Sequence, residues 1–322
     1  MYILGLGGSG HDFSACLCND TGILGYIEDE RITRIKHSFI LGNEKKISEM
    51  SSVWYLLNQY NLGISDISRI YTNDLLNAVF YRNHISDCEI QKIRHHLAHA
   101  ASTYYPSEFQ ESAILVVDGA GGEWKNEQCE TISFWYGKDK RIQNVKTFGG
   151  KAVSFNTYFD LSMPFTNSIG GFYRVVTNLL GFGLFDEGKI MGLASYGTDR
   201  YWPLFLPLFD ISDEGAFVFN EESFRKLINI SYSVKTFQDK ADFAFSAQKV
   251  TSIAVVSAAK ALKKITNCNN VCIAGGVALN SVANYAIYTN NIYKNFFIQP
   301  ASGDAGTAIG AALYGLYYGQ KD

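Results

Sequence analysis

The sequence has no long hydrophobic run, no excess of positive charge and no cysteine pattern, and each absence excludes a class of protein. No apolar stretch approaches the roughly 20 residues that a membrane span needs, and the N-terminus carries no basic-then-apolar leader. A net charge of −3 offers no electrostatic footprint for nucleic acid. The six cysteines, Cys16, Cys18, Cys88, Cys129, Cys268 and Cys272, are scattered without disulfide-scaffold spacing. Cys268 and Cys272 lack a second thiol pair to complete a metal site, so the cysteines read as buried free thiols of a cytoplasmic protein.

What remains is a chain of 322 residues, 47% hydrophobic and 18% charged, long enough for two domains or two halves of one. It opens with Gly5-Leu6-Gly7-Gly8-Ser9-Gly10, which fits GxGxxG. A dinucleotide site would need a helix immediately afterwards, whose N-terminus holds the pyrophosphate. Phe13 to Cys18 instead alternates larger apolar with small residues, turns at Asn19 to Gly22 and resumes at Ile23 to Ile27. This predicts a β-meander with a glycine-rich first turn, not a βαβ unit.

The theme recurs from Ser112. An apolar strand, Ala113 to Val117, runs into Asp118-Gly119-Ala120-Gly121-Gly122, followed by strands at Thr131 to Tyr136 and Ile142 to Phe148. The first meander leads to a helix near Ile47 to Tyr60 and a strand at Arg69 to Thr72. In the second, a long helix from Phe243 to Ile265 leads to the strand Asn270 to Ala274. The glycine turn Gly275-Gly276, a helix from Asn280 to Tyr288, a strand from Asn295 to Gln299 and a small-residue helix from Ala308 to Tyr317 complete the pattern. Two meanders of the same order imply an α/β protein of the actin, hexokinase and heat-shock-ATPase plan, with two related halves around a nucleotide cleft. The halves are expected at residues 1–110 and 111–322. Glycine turns feeding helices suit a phosphorylated ligand.

Residues 94–105 read RHHLAHAASTYY, so His95 and His99 share one helical face within reach of one metal ion. A surface pair of histidines, or a pair that only caps and packs, is the competing reading of the spacing. Asp118 at a strand end and Asp304 in the Gly303–Gly306 turn supply carboxylates, and two imidazoles with one or two carboxylates suit iron, zinc or manganese.

The blocks HHLAHA at 95–100, VDG at 117–119, EGKIMGLASYG at 187–197, GGVALN at 275–280 and GDAGTAIGAA at 303–312 occur in this order. With the Gly10-His11-Asp12 turn and SIGGFY at 168–173, they resemble the N-terminal domain of the nodulation and antibiotic-pathway O-carbamoyltransferases, from residue 3 to about 315. The family that transfers a threonylcarbamoyl group to transfer RNA is a more distant likeness. The resemblance implies metal-dependent carbamoyl transfer from carbamoyladenylate to a hydroxyl of a small molecule. By position, His95, His99, Asp118 and Asp304 match the family's metal ligands, commonly Fe²⁺. His11, with Asp12 beside it, falls at the transfer chemistry; a general base and a turn residue bonded to backbone are both open readings. Gly8, Lys189, Gly275, Gly276, Asn280 and Ser302 fall in blocks that line the pocket for ATP or carbamoyladenylate. Lys189 is read as a phosphate partner, with an ion pair to Glu187 or Asp186 as the alternative.

Full-length relatives continue into a carbamoyladenylate-forming domain, and this chain stops at Asp322, so a separate activating protein is the expected partner. A non-catalytic nucleotide-binding scaffold is the alternative function. The aromatic residues Trp202, Phe205, Phe209, Phe217, Phe219 and Phe224 are expected mainly in the core, with an acceptor pocket as the other possibility.

Overall fold

The computed structural model describes residues 1–40, 42–85, 88–153 and 165–318. Strands β1 (Tyr2–Gly7), β2 (Ser14–Asn19), β3 (Gly22–Glu28), β4 (Ile67–Asn73) and β5 (Ile90–Ile93) form a sheet ordered β3-β2-β1-β4-β5. The meander pairs are antiparallel, and β1–β4 and β4–β5 are parallel. Strands β6 (Glu111–Val117), β7 (Cys129–Lys138) and β8 (Arg141–Gly150) make the second meander. A short antiparallel pair, β9 (Asp210–Ile211) and β10 (Phe217–Val218), stands apart from both sheets. With β11 (Asn270–Ala274) and β12 (Asn295–Ile298) the second sheet is ordered β12-β11-β6-β7-β8. Read from its meander end this is the same order, with the same antiparallel and parallel pairs. The chain returns from Gly7–Phe13 as β2 with no helix between, which removes the dinucleotide reading of the glycines.

Strand β1 is buried on both faces, and period-two alternation assigns each residue to one of them. Leu4 and Leu6 join Phe13, Val53, Leu56 and Phe80 in one core. Ile3 joins Ala98, Ala308, Ala311 and Ala312 in another, under the helix Thr307–Tyr317. That helix is rich in small residues because it passes between β1 and the helix His95–Tyr104. A Cβ on Gly5 would run into the Ala308 carbonyl, and one on Gly310 into the Ala98 carbonyl. Thus the helix that follows Asp304, assigned with residues 111–322 by chain order, lies on the first sheet.

The helix His95–Tyr104 is also shared: its Ala100 and Tyr104 pack with Ile114, Val116 and Cys272 of the second sheet. The long helix Phe237–Thr266 starts earlier than its apolar spacing predicts, because Thr236 and Asp239 form a reciprocal capping box. Phe205, Phe217, Phe219 and Phe224 lie in the main core of the second half, and Trp202 and Phe209 pack against it. These aromatics are core, not an acceptor pocket. The six cysteines are free thiols.

Candidate functional site

Strand β4 ends at Asn73 and Asp74 follows it, and both side chains prepare the start of the helix His95–Tyr104. Asp74 Oδ1 accepts from the His95 backbone N–H at 2.9 Å, satisfying a donor that the helix N-terminus leaves open. Asn73 Oδ1 lies 3.1 Å from His95 Nδ1 and accepts a hydrogen bond from Nδ1–H. In the neutral ring the lone pair of His95 is thereby left on Nε2, facing the carboxylates. This Nε2 is 3.1 Å from His99 Nε2, 3.1 Å from Asp118 Oδ2 and 3.5 Å from Asp304 Oδ1. His99 Nε2 is 3.7 Å from both carboxylates. The four residues offer ligand atoms that all lie within 4.8 Å of one another. Both histidines are fully buried, which removes the surface-pair reading of their spacing.

His96 points away. Its Nδ1 meets Ser133 Oγ at 2.7 Å, and burial holds its pKa well below the usual range, so it is neutral. His95 behaves oppositely: burial opposes its charge, but Asp304 and Asp118 outweigh that and raise its pKa to about 10. Burial would raise Asp118 and Asp304 too, yet the two histidines hold both carboxyls below the ordinary carboxylate range. The cluster therefore demands positive charge at its centre, which protons or a cation can provide. Two imidazole nitrogens and two carboxylate oxygens are a donor set that suits Fe²⁺, Zn²⁺ or Mn²⁺. The residues fit such an ion.

His11 approaches from the first glycine turn, with Nε2 3.8 Å from Asp304 Oδ2 and Nδ1 2.8 Å from Asp12 Oδ2. Burial lowers its pKa, but the Asp12 hydrogen bond and the Asp304 charge bring the net shift upward. The bonding of His11 is to a carboxylate side chain, rather than to backbone alone as the turn-residue reading had it.

The glycine turns brace these ligands. Gly8 N–H donates to Asp304 O and Thr307 Oγ1, both at 3.1 Å, and Gly8 O accepts from Asn73 Nδ2 at 2.8 Å. Gly276 N–H donates to Asp118 Oδ1 at 3.1 Å, as does Gly119 N–H at 2.8 Å. Gly275 N–H meets the carbonyl of buried Ser302 at 2.9 Å, so these two join the strand-end loops rather than presenting those groups to a ligand. Asn280 caps the helix Ser281–Thr289 through Ala283 N–H and is paired with Gln248. Lys189 is bonded to Asp186 at 2.8 Å with its side chain 60% exposed, which is the ion-pair alternative read from the sequence.

Two residues here escaped the sequence reading. Asn73 sits at the end of a strand and carries no motif. Arg174 follows the SIGGFY block by one position; its Nη2 lies against Gly119, its charge acts on His11, and its Nε is 3.4 Å from Glu187. A cation one residue past a quoted motif was the available signal.

Over residues 68–313 the chain matches the family described as carbamoyltransferase N-terminus. It is 30% identical to the uncharacterized protein sll1178 of Synechocystis, over 97% of this chain and 56% of that protein. It is 27% identical to the nodulation protein NolNO of Sinorhizobium fredii, over 94% of this chain and 46% of NolNO. The chain spans about half the length of the curated relatives it matches. In fold it is similar to HypF of T. kodakarensis, with a TM-score of 0.66, 15% identity, and 98% of this chain and 47% of HypF covered. A HypF structure in a phosphate- and nucleotide-bound form is equally similar, with a TM-score of 0.66, 15% identity, and 97% and 54% covered. The duplicated α/β architecture is that of the actin and hexokinase class. With the family match extending over well more than half of its residues, the chain belongs to the carbamoyltransferase family and represents its N-terminal domain.

Proposed function

We propose that this chain transfers a carbamoyl group from carbamoyladenylate to a hydroxyl of a small-molecule acceptor, at a centre held by His95, His99, Asp118 and Asp304. The observation that carries the reading is the convergence of these four ligand atoms with His11 beside them. A carbamoyl carbonyl is a poor electrophile, because its nitrogen donates into it; a mixed anhydride with AMP supplies the leaving group. A bound divalent ion would polarise a carbonyl or phosphate oxygen and stabilise charge as the tetrahedral centre forms. His11 donates Nδ1–H to Asp12, so its Nε2 can take the acceptor's proton as the oxygen attacks the carbamoyl carbon. The carbon–oxygen bond to phosphate then breaks and AMP leaves. Asp12 stabilises the imidazolium that results, as the carboxylate of a catalytic triad does.

In this reading Arg174, from the second half, receives the phosphate, for which a planar guanidinium is well suited; its charge acting on His11 supports this. The phosphate- and nucleotide-bound form of HypF supports a nucleotide in this cleft. Formation of carbamoyladenylate from ATP is assigned to a separate protein or domain, a reading supported by relatives about twice as long as this chain. The test gives metal-loaded protein carbamoyladenylate and a panel of hydroxylated acceptors, and measures AMP and carbamate ester. AMP release is expected, and His99→Ala should lose both metal retention and release. Full activity from metal-free protein would overturn the reading.

A further inference from the structure

His37 lies on the segment after β3 and belongs to none of the blocks that define the family likeness. Its Nδ1 is 2.8 Å from Asp12 Oδ1, while His11 Nδ1 is 2.8 Å from Asp12 Oδ2. The ionised carboxylate only accepts, so each imidazole donates a hydrogen bond to it from Nδ1–H. With one oxygen engaged by each ring, the carboxylate has no freedom to rotate.

The backbone reinforces the arrangement. Asp12 N–H donates to the His37 carbonyl at 2.5 Å, and His37 N–H donates to Glu30 Oε2 at 2.6 Å. Asp12, His37 and Ser38 all take left-handed conformations, with φ of 56°, 59° and 44°. Such strain in three residues around one carboxylate persists only where the surroundings over-determine it, and it clusters at functional sites. Phe185 from the second half, also left-handed, packs on both rings, with centroids 4.5 Å from His11 and 4.4 Å from His37. Asp12, Glu30 and His37 could also be read as a second cation site. Their ligand atoms are instead committed to one another: Asp12 Oδ1 to His37 Nδ1, and Glu30 Oε2 to His37 N–H.

We propose that His37 is a positioning residue which, acting through Asp12, holds His11 in the tautomer and orientation that aim Nε2 at the Asp304 side of the centre. The inference rests on the reading of His11 as the base. Removing the His37 proton donor frees the carboxylate to turn and lets His11 adopt either tautomer. Misplacement of a catalytic group by about an ångström costs on the order of 100-fold in rate.

The experiment compares wild type, His37→Phe and His37→Asn, all zinc-loaded. Phenylalanine keeps an aromatic ring against Phe185 and loses the donor; asparagine restores a donor near Nδ1. Nitrogen NMR of labelled histidines reads the His11 tautomer, and AMP release from carbamoyladenylate gives kcat and KM. Expected are one Nδ1–H tautomer in wild type and mixed tautomers in His37→Phe, with kcat about 10- to 100-fold lower at unchanged KM. His37→Asn should recover most of both signals. A single Nδ1–H tautomer in His37→Phe, or equal losses in the two variants, would overturn the proposal. If wild type releases no AMP, the transfer reading fails, and the tautomer measurement still decides the role of His37.

Discussion

Replacing Asn73 by alanine isolates the support of the metal ligands from the ligands themselves. Asn73 is fully buried and its side chain makes four hydrogen bonds. Oδ1 accepts from His95 Nδ1 and from Leu75 N–H, at 3.1 and 2.9 Å. Nδ2 donates to Gly8 O and Thr307 Oγ1, at 2.8 and 3.0 Å. Thr307 Oγ1 keeps its bond from Gly8 N–H, so the buried groups left stranded are the Gly8 carbonyl and the His95 Nδ1–H, while the half-buried Leu75 N–H also loses its acceptor. At about 1–3 kcal/mol for each of the two buried groups, the folded state should lose about 2–6 kcal/mol. Affinity is a separate quantity. Losing the partner that fixes a metal-ligating histidine typically costs 10- to 100-fold, equivalent to about 1.4–2.8 kcal/mol of binding. Competition against a chromophoric chelator for Zn²⁺ under native conditions measures it, with urea unfolding reporting stability on the same samples. Zinc affinity within about threefold of wild type would refute the claim that Asn73 orients His95. Lost stability alone would then mean that Asn73 only ties the first glycine turn to Thr307.

Gly310→Ala should lower the unfolding free energy by about 1–3 kcal/mol or more, since its Cβ has to displace the backbone of the helix that carries His95 and His99; urea unfolding curves with and without Zn²⁺ test this. Arg174→Lys should weaken AMP binding about tenfold or more in calorimetry, because an ammonium cannot reproduce a bidentate contact; unchanged affinity would move the phosphate elsewhere. Backbone N–H bonds from Thr236 and Lys235 lower the Asp239 pKa from its ordinary 3.8 to about 2. The folded pKa is depressed, so this stabilisation is full above the unfolded value and disappears as pH falls through the folded one. Asp239→Asn should therefore be less stable than wild type at neutral pH, with the gap closing as pH falls through that interval, as urea midpoints across a pH series will show.

The strands were legible because both sheets announce themselves by apolar runs ending in glycine turns, and β11 occupies the predicted Asn270–Ala274. His95 and His99 were legible because helical periodicity alone puts them on one face. Other roles depend on contacts across the fold. Asn73 reaches Thr307 only because the last helix crosses β1, and His37 reaches Asp12 only because the loop after β3 folds back over the first turn. Lys189 and Asn280 carried motif-like surroundings, but Lys189 pairs with an acidic residue three positions earlier, and Asn280 caps the following helix while pairing with Gln248. Local chemistry settles the second kind of residue, and topology settles the first.

The helix that closes over β1 also sets an order of events during synthesis. Gly8 and Thr307 are 299 positions apart, yet their hydrogen bond joins the opening turn to the loop that carries Asp304. Until that loop and its helix leave the ribosome, the Ile3 face of the first sheet has no cover and the centre is one carboxylate short. Contacts so distant in sequence form slowly, and an uncovered sheet face is an aggregation hazard while they do. Nascent chains shorter than Asp304 lack the complete set of four side chains, so an ion held by all four would bind at the end of folding rather than nucleate it.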